Sequence, residues 1–412
     1  MEAFHYVNGT LYCERVALAD VAARFGTPLY VYSQAQIESN LRTLDEAFAA
    51  VPHLICYSLK ANSNLAIGRL VAGMGAGADI VSGGELFKAL KMGIDPRQIV
   101  YASVGKTAAE IEDALRAGIL MFNVESRAEL EAVDAVAARV GVQAPIALRI
   151  NPDIDPQTHP YITTGMTKYK FGIPAEEALE LYHHARALPH VVARGIQMHI
   201  GSQLVSTRPI VEAATKVAAL AHRLKRDGIA LDYLNIGGGL GIRYKDETPE
   251  GPAALARHIV PLVRETGCTL ILEPGRFIVG NAGALLARVL YVKRNPVKTF
   301  VIVDAAMNDL IRPSLYDAYH PILNVKQVPE TEKVDVVGPV CESGDFFARD
   351  REVARFEAGD LMSIQCAGAY GFAMSSNYNC RPRAAEVLVA GVGFRLVRRR
   401  ESYADLVRHE EL

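Results

Sequence analysis

The 412-residue chain contains no tryptophan and only six cysteines. Cys13, Cys56, Cys268, Cys341, Cys366 and Cys380 are scattered, and none belongs to a CxxC pair. That argues against a disulfide framework and against a clustered zinc site. Charge of neither sign prevails: 44 basic against 46 acidic residues leave a formal net charge of −2. A nucleic-acid protein would show a basic excess or stripe. The densest basic cluster, "RLVRRR" from Arg395 to Arg400, reads as a solvated edge strand. No apolar stretch is long and charge-free enough to span a bilayer. The first residues, "MEAFHYVNGTLYCE", lack the basic and apolar regions of a signal peptide. Repeats and low-complexity segments are missing too. The expectation is a cytoplasmic protein in a reducing setting, with no nucleic acid, membrane or metal among its partners.

What the chain does have is apolar residues, 50 % of the total, enough for large cores, and a length that suggests two domains. From Leu54 onward, short apolar runs alternate with helix-like segments. The runs are "LICYSLK", "ADIVS", "IVYAS", "LMFNV", "PIALRIN", "GIQMHIG", "YLNIGGG" and "TLILEPG", the last ending at Gly275. Continuous apolar runs suit strands buried on both faces of a parallel sheet. Between them, Thr107 with Glu110 and Ser126 with Glu129 stand at capping-box spacing, and Gly118 and Gly141 close the same helices. Eight such alternations suggest a (β/α)8 barrel over residues 28–280 rather than an open sheet, a choice that periodicity alone does not fix. After residue 280 the runs stay strand-like and the helical patterns thin out. This predicts a C-terminal, mostly antiparallel β-domain over 281–412. Residues 1–27, with an Asn-Gly turn in "YVNGTLYCE", are expected to join it as N-terminal strands.

A barrel of this kind carries its chemistry at the C-terminal ends of its strands. Those ends supply Lys60, Ser82, Asn151, His199, Ser202, Gly237, Gly238, Gly239, Glu273 and Arg276. A lysine at a strand end in a barrel mouth can lose its proton and form a Schiff base with a carbonyl. The run "GGGLG" lets backbone N–H groups approach a phosphate, or else makes a tight turn; it does not have dinucleotide-fingerprint spacing. Alone, "LEPGR" reads as a loop ion pair between Glu273 and Arg276, His199 as a core histidine, and Cys341 as a small buried apolar group.

Together the motifs do more. "YSLKANSN", "GADIVSGGEL", "TKYKFGI", "HIGSQ", "NIGGGLGI", "EPGRFIVGNAG", "RPSLYDAYHPI", "GPVCESGD" and "GAYGFAMSSNYN" follow one another from Tyr57 to Asn379. In this series the chain resembles the barrel-type, fold type III pyridoxal-phosphate decarboxylases. It departs from their pattern at Phe277, where a serine is expected after "EPGR". The resemblance implies pyridoxal 5'-phosphate as cofactor, held by Lys60 as a Schiff base. Asp79 would support the ring pocket, His199 would stack on the ring, and Glu273 would face the pyridine nitrogen. Ser202, Gly237, Gly238, Gly239, Gly275, Arg276 and Tyr370 would hold the phosphate. It further implies a homodimer with active sites shared across the interface, Cys341 reaching in from the second subunit as the proton donor. Substrate would be bound by Arg276, Arg312, Tyr316, Glu342 and Tyr370. Paired arginines for a distal carboxylate and Glu342 for a distal ammonium fit meso-2,6-diaminopimelate, decarboxylated at its D-centre to L-lysine. The alternatives are decarboxylases for ornithine or lysine, carboxynorspermidine or a carrier-bound glutamyl group, a racemase of similar architecture, and a catalytically dead homologue. Gln203 in "HIGSQ", where the ornithine relatives are expected to carry glycine, and Glu273, where racemases would place an arginine, weigh against two of these. Lys60 and Cys341 weigh against the third.

Overall fold

The computed structural model describes residues 3–155, 165 and 170–412. Of the expected motifs, the first three residues of "TKYKFGI" lie outside the described residues. The chain divides into two compact units: one of residues 40–242 and 248–277, the other of residues 1–39, 243–247 and 278–412.

The first unit is a closed barrel. Its eight parallel strands are His53–Ser58, Gly77–Ile80, Ile99–Tyr101, Met121–Val124, Ala144–Asn151, Val191–Gln197, Tyr233–Asn235 and Thr269–Leu272. Thr269–Leu272 pairs on one side with Tyr233–Asn235 and on the other with His53–Ser58, which closes the ring. These are the runs singled out in the sequence. They lack alternation because both faces are covered: Gly77–Ile80, Ile99–Tyr101 and Met121–Val124 are buried at every position. Inside the ring, Cys56, Val100, Met121, Ala147 and Ile271 pack as one apolar cluster. The polar ends of the strands stand beyond it.

The helices start and stop where the caps predicted. Thr107 accepts from the Glu110 N–H and Glu110 returns the bond, a complete capping box, and Gly118 ends that helix. Ser126 caps the next helix by accepting from Glu129 N–H. The reciprocal bond expected there is not made. One Glu129 oxygen instead accepts from Glu125 N–H, and the other meets Lys106 Nζ at 2.5 Å. A buried ammonium outcompetes a backbone N–H for a carboxylate.

The second unit holds a nine-stranded mixed sheet and a small three-stranded one. The hairpin of Phe4–Val7 and Thr10–Cys13 turns at Asn8 and Gly9, both at positive φ, as the Asn-Gly signal predicts. The long strand Gly283–Arg294 is the spine of the larger sheet, antiparallel to Thr299–Val303, Leu361–Ile364 and Leu29–Ser33. The sheet is mostly antiparallel, with two parallel pairings, Thr299–Val303 with Thr331–Val337 and Ala385–Ala390 with Leu29–Ser33. Gly393–Arg398, from the basic cluster, lies at one edge. The division between the units falls after Ser39 rather than at residue 27. The reason is Leu29–Ser33, which is buried throughout and pairs within this sheet. Among the described residues, no helix is long and apolar enough to cross a membrane.

Candidate active site

Lys60 sits in a single helical turn, Leu59–Ala61, directly after the strand His53–Ser58. Its Nζ is 2.9 Å from Asp79 Oδ2, on the adjacent strand, and its side chain keeps 37 % of its exposure while Asp79 is fully buried. Ser58 Oγ donates to the same Asp79 oxygen and lies 3.3 Å from Glu273 O. One strand end thus ties the amine, the aspartate and the backbone of the third expected residue together. Asp79 Oδ1 has no hydrogen-bond partner. A buried, unsatisfied carboxylate oxygen is costly unless something else uses it.

Glu273 is buried, its side chain held from three strands. Asn123 Nδ2 donates to Oε1 at 2.9 Å, Asn235 Nδ2 to Oε1 at 2.6 Å, and Gln197 Nε2 to Oε2 at 3.2 Å. Burial, with the nearby Asp79 charge, lifts its carboxyl to about 7. Burial also lifts Glu85, in the first turn of the helix that follows Asp79's strand, to about 7. Asn123, Gln197 and Asn235 were not singled out from the sequence. Each is one polar residue inside or closing an apolar run, and its inward direction is set by the barrel's pleat. The loop ion pair considered for "LEPGR" does not describe Glu273, whose side chain is held by these amides. Arg276 instead donates to Ser202 Oγ, Nη2 at 3.1 Å and Nε at 3.4 Å.

That contact brings the cation beside the glycine turn. Gly237 and Gly239 have φ of +67° and +111°, and a Cβ on Gly238 would stand 2.2 Å from Glu273 O. A side chain at any of the three would collide with packed backbone: Met198 O at 2.6 Å, Glu273 O, and Gly201 O at 2.7 Å. Glu273 N–H in turn donates to Gly237 O at 2.8 Å, and Ser58 N–H to Pro274 O at 2.9 Å, next to Gly275. Gly238 N–H donates to His199 Nδ1 at 3.3 Å, which leaves the ring proton of a neutral His199 on Nε2. Burial and the cations Arg149 and Lys60 hold His199 well below the usual histidine value, so the ring is neutral. Gln203, at positive φ, grips Ile242 through both ends of its amide, Nε2 to Ile242 O at 2.6 Å and Oε1 to Ile242 N–H at 3.1 Å. Ser82 caps the helix Gly83–Met92, and Asn151 donates to Phe171 O; both hold the scaffold.

Arg312, Tyr316, Cys341, Glu342 and Tyr370 belong to the second unit. Arg312 opens the helical turn Arg312–Tyr316 and is buried, while Tyr316 and Tyr370 are half-buried. Ser314 Oγ donates to Gly344 O at 2.5 Å, which joins this turn to the loop carrying Cys341 and Glu342. Buried Asp345 anchors the loop by accepting from Met307 N–H and Val340 N–H, both at 2.7 Å. Cys341 and Glu342 are exposed, and Tyr378 Oη donates to Glu342 Oε2 at 2.8 Å. Burial pushes the Cys366 thiol up to about 12, which makes it a poor acid.

A lysine–aspartate pair in a parallel barrel mouth, with an arginine, a serine and a glycine turn beside it, is the chemistry of an aldehyde cofactor that also carries a phosphate. A family model described as the pyridoxal-binding domain of pyridoxal-dependent decarboxylases matches residues 34–280. The chain therefore belongs to that class of enzyme. Within it, the chain is 49 % identical to the diaminopimelate decarboxylase of Pseudomonas aeruginosa, over 100 % of this chain and 99 % of that one. It is 51 % identical to the diaminopimelate decarboxylase of Aquifex aeolicus, over 98 % and 96 %. A crystal structure of the M. jannaschii diaminopimelate decarboxylase in complex with L-lysine superposes with a TM-score of 0.95 at 40 % identity, covering 100 % of this chain and 98 % of that one. The chain belongs to the diaminopimelate decarboxylase family.

The residues present fit pyridoxal 5'-phosphate. Lys60 offers the amine, the unsatisfied Asp79 Oδ1 and the buried Glu273 favour positive charge between them, and the Cβ-free turn with Arg276 and Ser202 suits the phosphate.

Proposed function

We infer that this chain removes CO2 from the D-centre of meso-2,6-diaminopimelate and releases L-lysine. The observation that carries the reading is the Lys60–Asp79 pair at 2.9 Å in a barrel mouth where a second buried carboxylate, Glu273, is oriented by three amide side chains. Pyridoxal 5'-phosphate, when bound, supplies the electron sink that takes up the pair left by the departing carboxylate. The chain's own residues do the rest. Lys60 would hold the cofactor's aldehyde through its amine. Asp79 keeps the Lys60 ammonium at the mouth when it is displaced. Glu273 would face the ring nitrogen and favour its protonated form, as an adjacent anion does. Neutral His199 offers a flat face to the ring. Ser202, Gly237, Gly238, Gly239, Gly275, Arg276 and Tyr370 hold the phosphate.

Cys341 returns a proton to the carbon that lost CO2, and does so from the second subunit of a homodimer. Its exposure in the single chain agrees with that role, and so does the weakly acidic thiol of the alternative, half-buried Cys366. Arg312 with Arg276 takes the carboxylate of the distal amino-acid centre, Glu342 its ammonium, and Tyr316 and Tyr370 complete the pocket. The six cysteines, all free, suit a reducing, cytoplasmic setting.

The test is a substrate panel. Purified holoenzyme is incubated separately with meso-diaminopimelate, ornithine, lysine and carboxynorspermidine, with CO2 and chiral amino-acid products measured. Equal amounts of CO2 and L-lysine from meso-diaminopimelate, with at least about a hundredfold lower kcat/KM for substrates lacking the distal carboxylate, is the expected result. D-lysine, or faster turnover of ornithine, would contradict it.

A further inference from the structure

In the second unit, Arg312 is set in a cage that fixes which way its guanidinium points. Arg312 Nη1 lies 2.9 Å from His320 Nε2, and His320 Nδ1 lies 2.8 Å from Gln365 O. A carbonyl oxygen only accepts, so Nδ1 carries a proton. A guanidinium only donates, so Nε2 must present its lone pair. The two contacts together select one tautomer of one charge state, the neutral Nδ1–H ring. His320 is fully enclosed, at 0 % exposure.

The surrounding packing leaves the ring little freedom. The Arg312 guanidinium stands over the Tyr244 ring, 4.9 Å from its centroid. Tyr244 meets the imidazole edge-on, 5.6 Å between ring centroids at 82°. Arg351 Nη1 donates to His320 O at 2.6 Å, and the Arg351 guanidinium stacks on Tyr319, 4.0 Å from that centroid. The imidazole and the phenol ring orient Arg312 without bringing a negative charge to it. A carboxylate in the place of the imidazole would orient it as well, but would neutralise it against an anionic ligand.

We propose that His320 is a positioning residue for substrate choice, its neutral imidazole aiming Arg312 at the carboxylate of the substrate's distal amino-acid centre. The proposal rests on the reading of Arg312 given under Proposed function. His320 makes and breaks no bond. Its effect is geometric, because bidentate pairing of a guanidinium with a carboxylate demands a set plane and direction.

The test compares His320→Asn with His320→Gln in the full-length holoenzyme. Asparagine places its amide near the position of Nδ1, so it keeps a donor toward Gln365 O and removes the acceptor toward Arg312. Glutamine reaches the position of Nε2 and keeps that acceptor. Affinity is measured by calorimetry for two probes: L-lysine, which retains the distal carboxylate, and cadaverine, which lacks it. His320→Asn should weaken L-lysine about tenfold or more, the scale of one hydrogen bond to a charged group. Cadaverine affinity, kcat and the cofactor's absorption band should stay within about twofold, and His320→Gln should hold L-lysine affinity within about threefold. The proposal is overturned if L-lysine and cadaverine weaken together in His320→Asn, if neither changes, or if His320→Gln behaves like His320→Asn. Arg312→Ala separates the two readings. If it spares L-lysine affinity, the role given to Arg312 fails and the proposal with it. If it abolishes that affinity while His320→Asn does not weaken it, only the role of His320 fails.

Discussion

At the scale of single residues, the barrel mouth gathers the buried carboxyls of Asp79 and Glu273 around one amine, Lys60. Glu273 has its carboxyl lifted to about 7 by burial, so the folded protein holds a proton there in a range where the unfolded chain has released it. Stability of the cofactor-free protein should therefore fall as pH rises from the usual glutamate range to about 7, with Glu85 acting in the same direction. Glu273→Gln should flatten part of that fall, by on the order of 1–3 kcal/mol, read as the melting temperature of the cofactor-free protein across the pH series. An unchanged pH slope would show that Glu273 is ionised throughout. In the holoenzyme the same substitution should lower kcat about a hundredfold or more, because it removes the anion that would keep the ring nitrogen protonated and the electron sink strong. Lys60, His199, Glu273 and Arg276 were legible as strand-end residues, since polar side chains closing apolar runs stand out, whereas Asp79, inside its strand, was implied only by the family resemblance. Asn123, Gln197 and Asn235 were not. Each reads as an ordinary interruption of a strand, and only the closed ring reveals that all three converge on one carboxylate. The cage of His320 was equally hidden, because Gln365 and Tyr244 come from distant parts of the chain to meet it and nearby Arg312.

Secondary-structure elements carried more of their signal in the sequence. The eight barrel strands were visible because a strand covered on both faces needs a continuous apolar run, and the helices because Thr107, Ser126, Gly118 and Gly141 sit at their ends. Leu29–Ser33 shows the limit. "LYVYS" is buried at all five positions and looks like a barrel strand, yet its hydrogen bonds go to Gly283–Arg294 and Ala385–Ala390. Pairing over such separations is a property of topology, which local pattern does not encode. The turn Gly237–Gly239 is the element on which the mouth depends most. Gly238→Ala would put a methyl carbon 2.2 Å from Glu273 O, so the turn and the Glu273 loop must separate. Cofactor affinity should fall roughly tenfold or more, the size of effect expected from 1–2 kcal/mol of backbone strain. Fluorescence titration of the cofactor-free variant would measure it, and wild-type affinity would show that the turn does not bound the phosphate site.

For the whole molecule, the decisive feature is that Lys60 and Cys341 are proposed to meet across two subunits. A symmetric dimer with composite sites makes a specific forecast for mixtures. Lys60→Ala and Cys341→Ala should each be nearly inactive alone. Unfolded together and refolded in equal amounts, about half of the dimers are mixed and half of their sites are intact, so about a quarter of wild-type activity should return. No recovery would place both residues in one subunit's site. The chemistry itself is tested most directly by reducing the holoenzyme with borohydride and mapping the modified peptide. One pyridoxyl group per chain on Lys60 is the predicted result. Modification of another lysine, such as the enclosed Lys106 that bonds Ser103 O, Asn123 O and Glu129, or no stable modification at all, would contradict it.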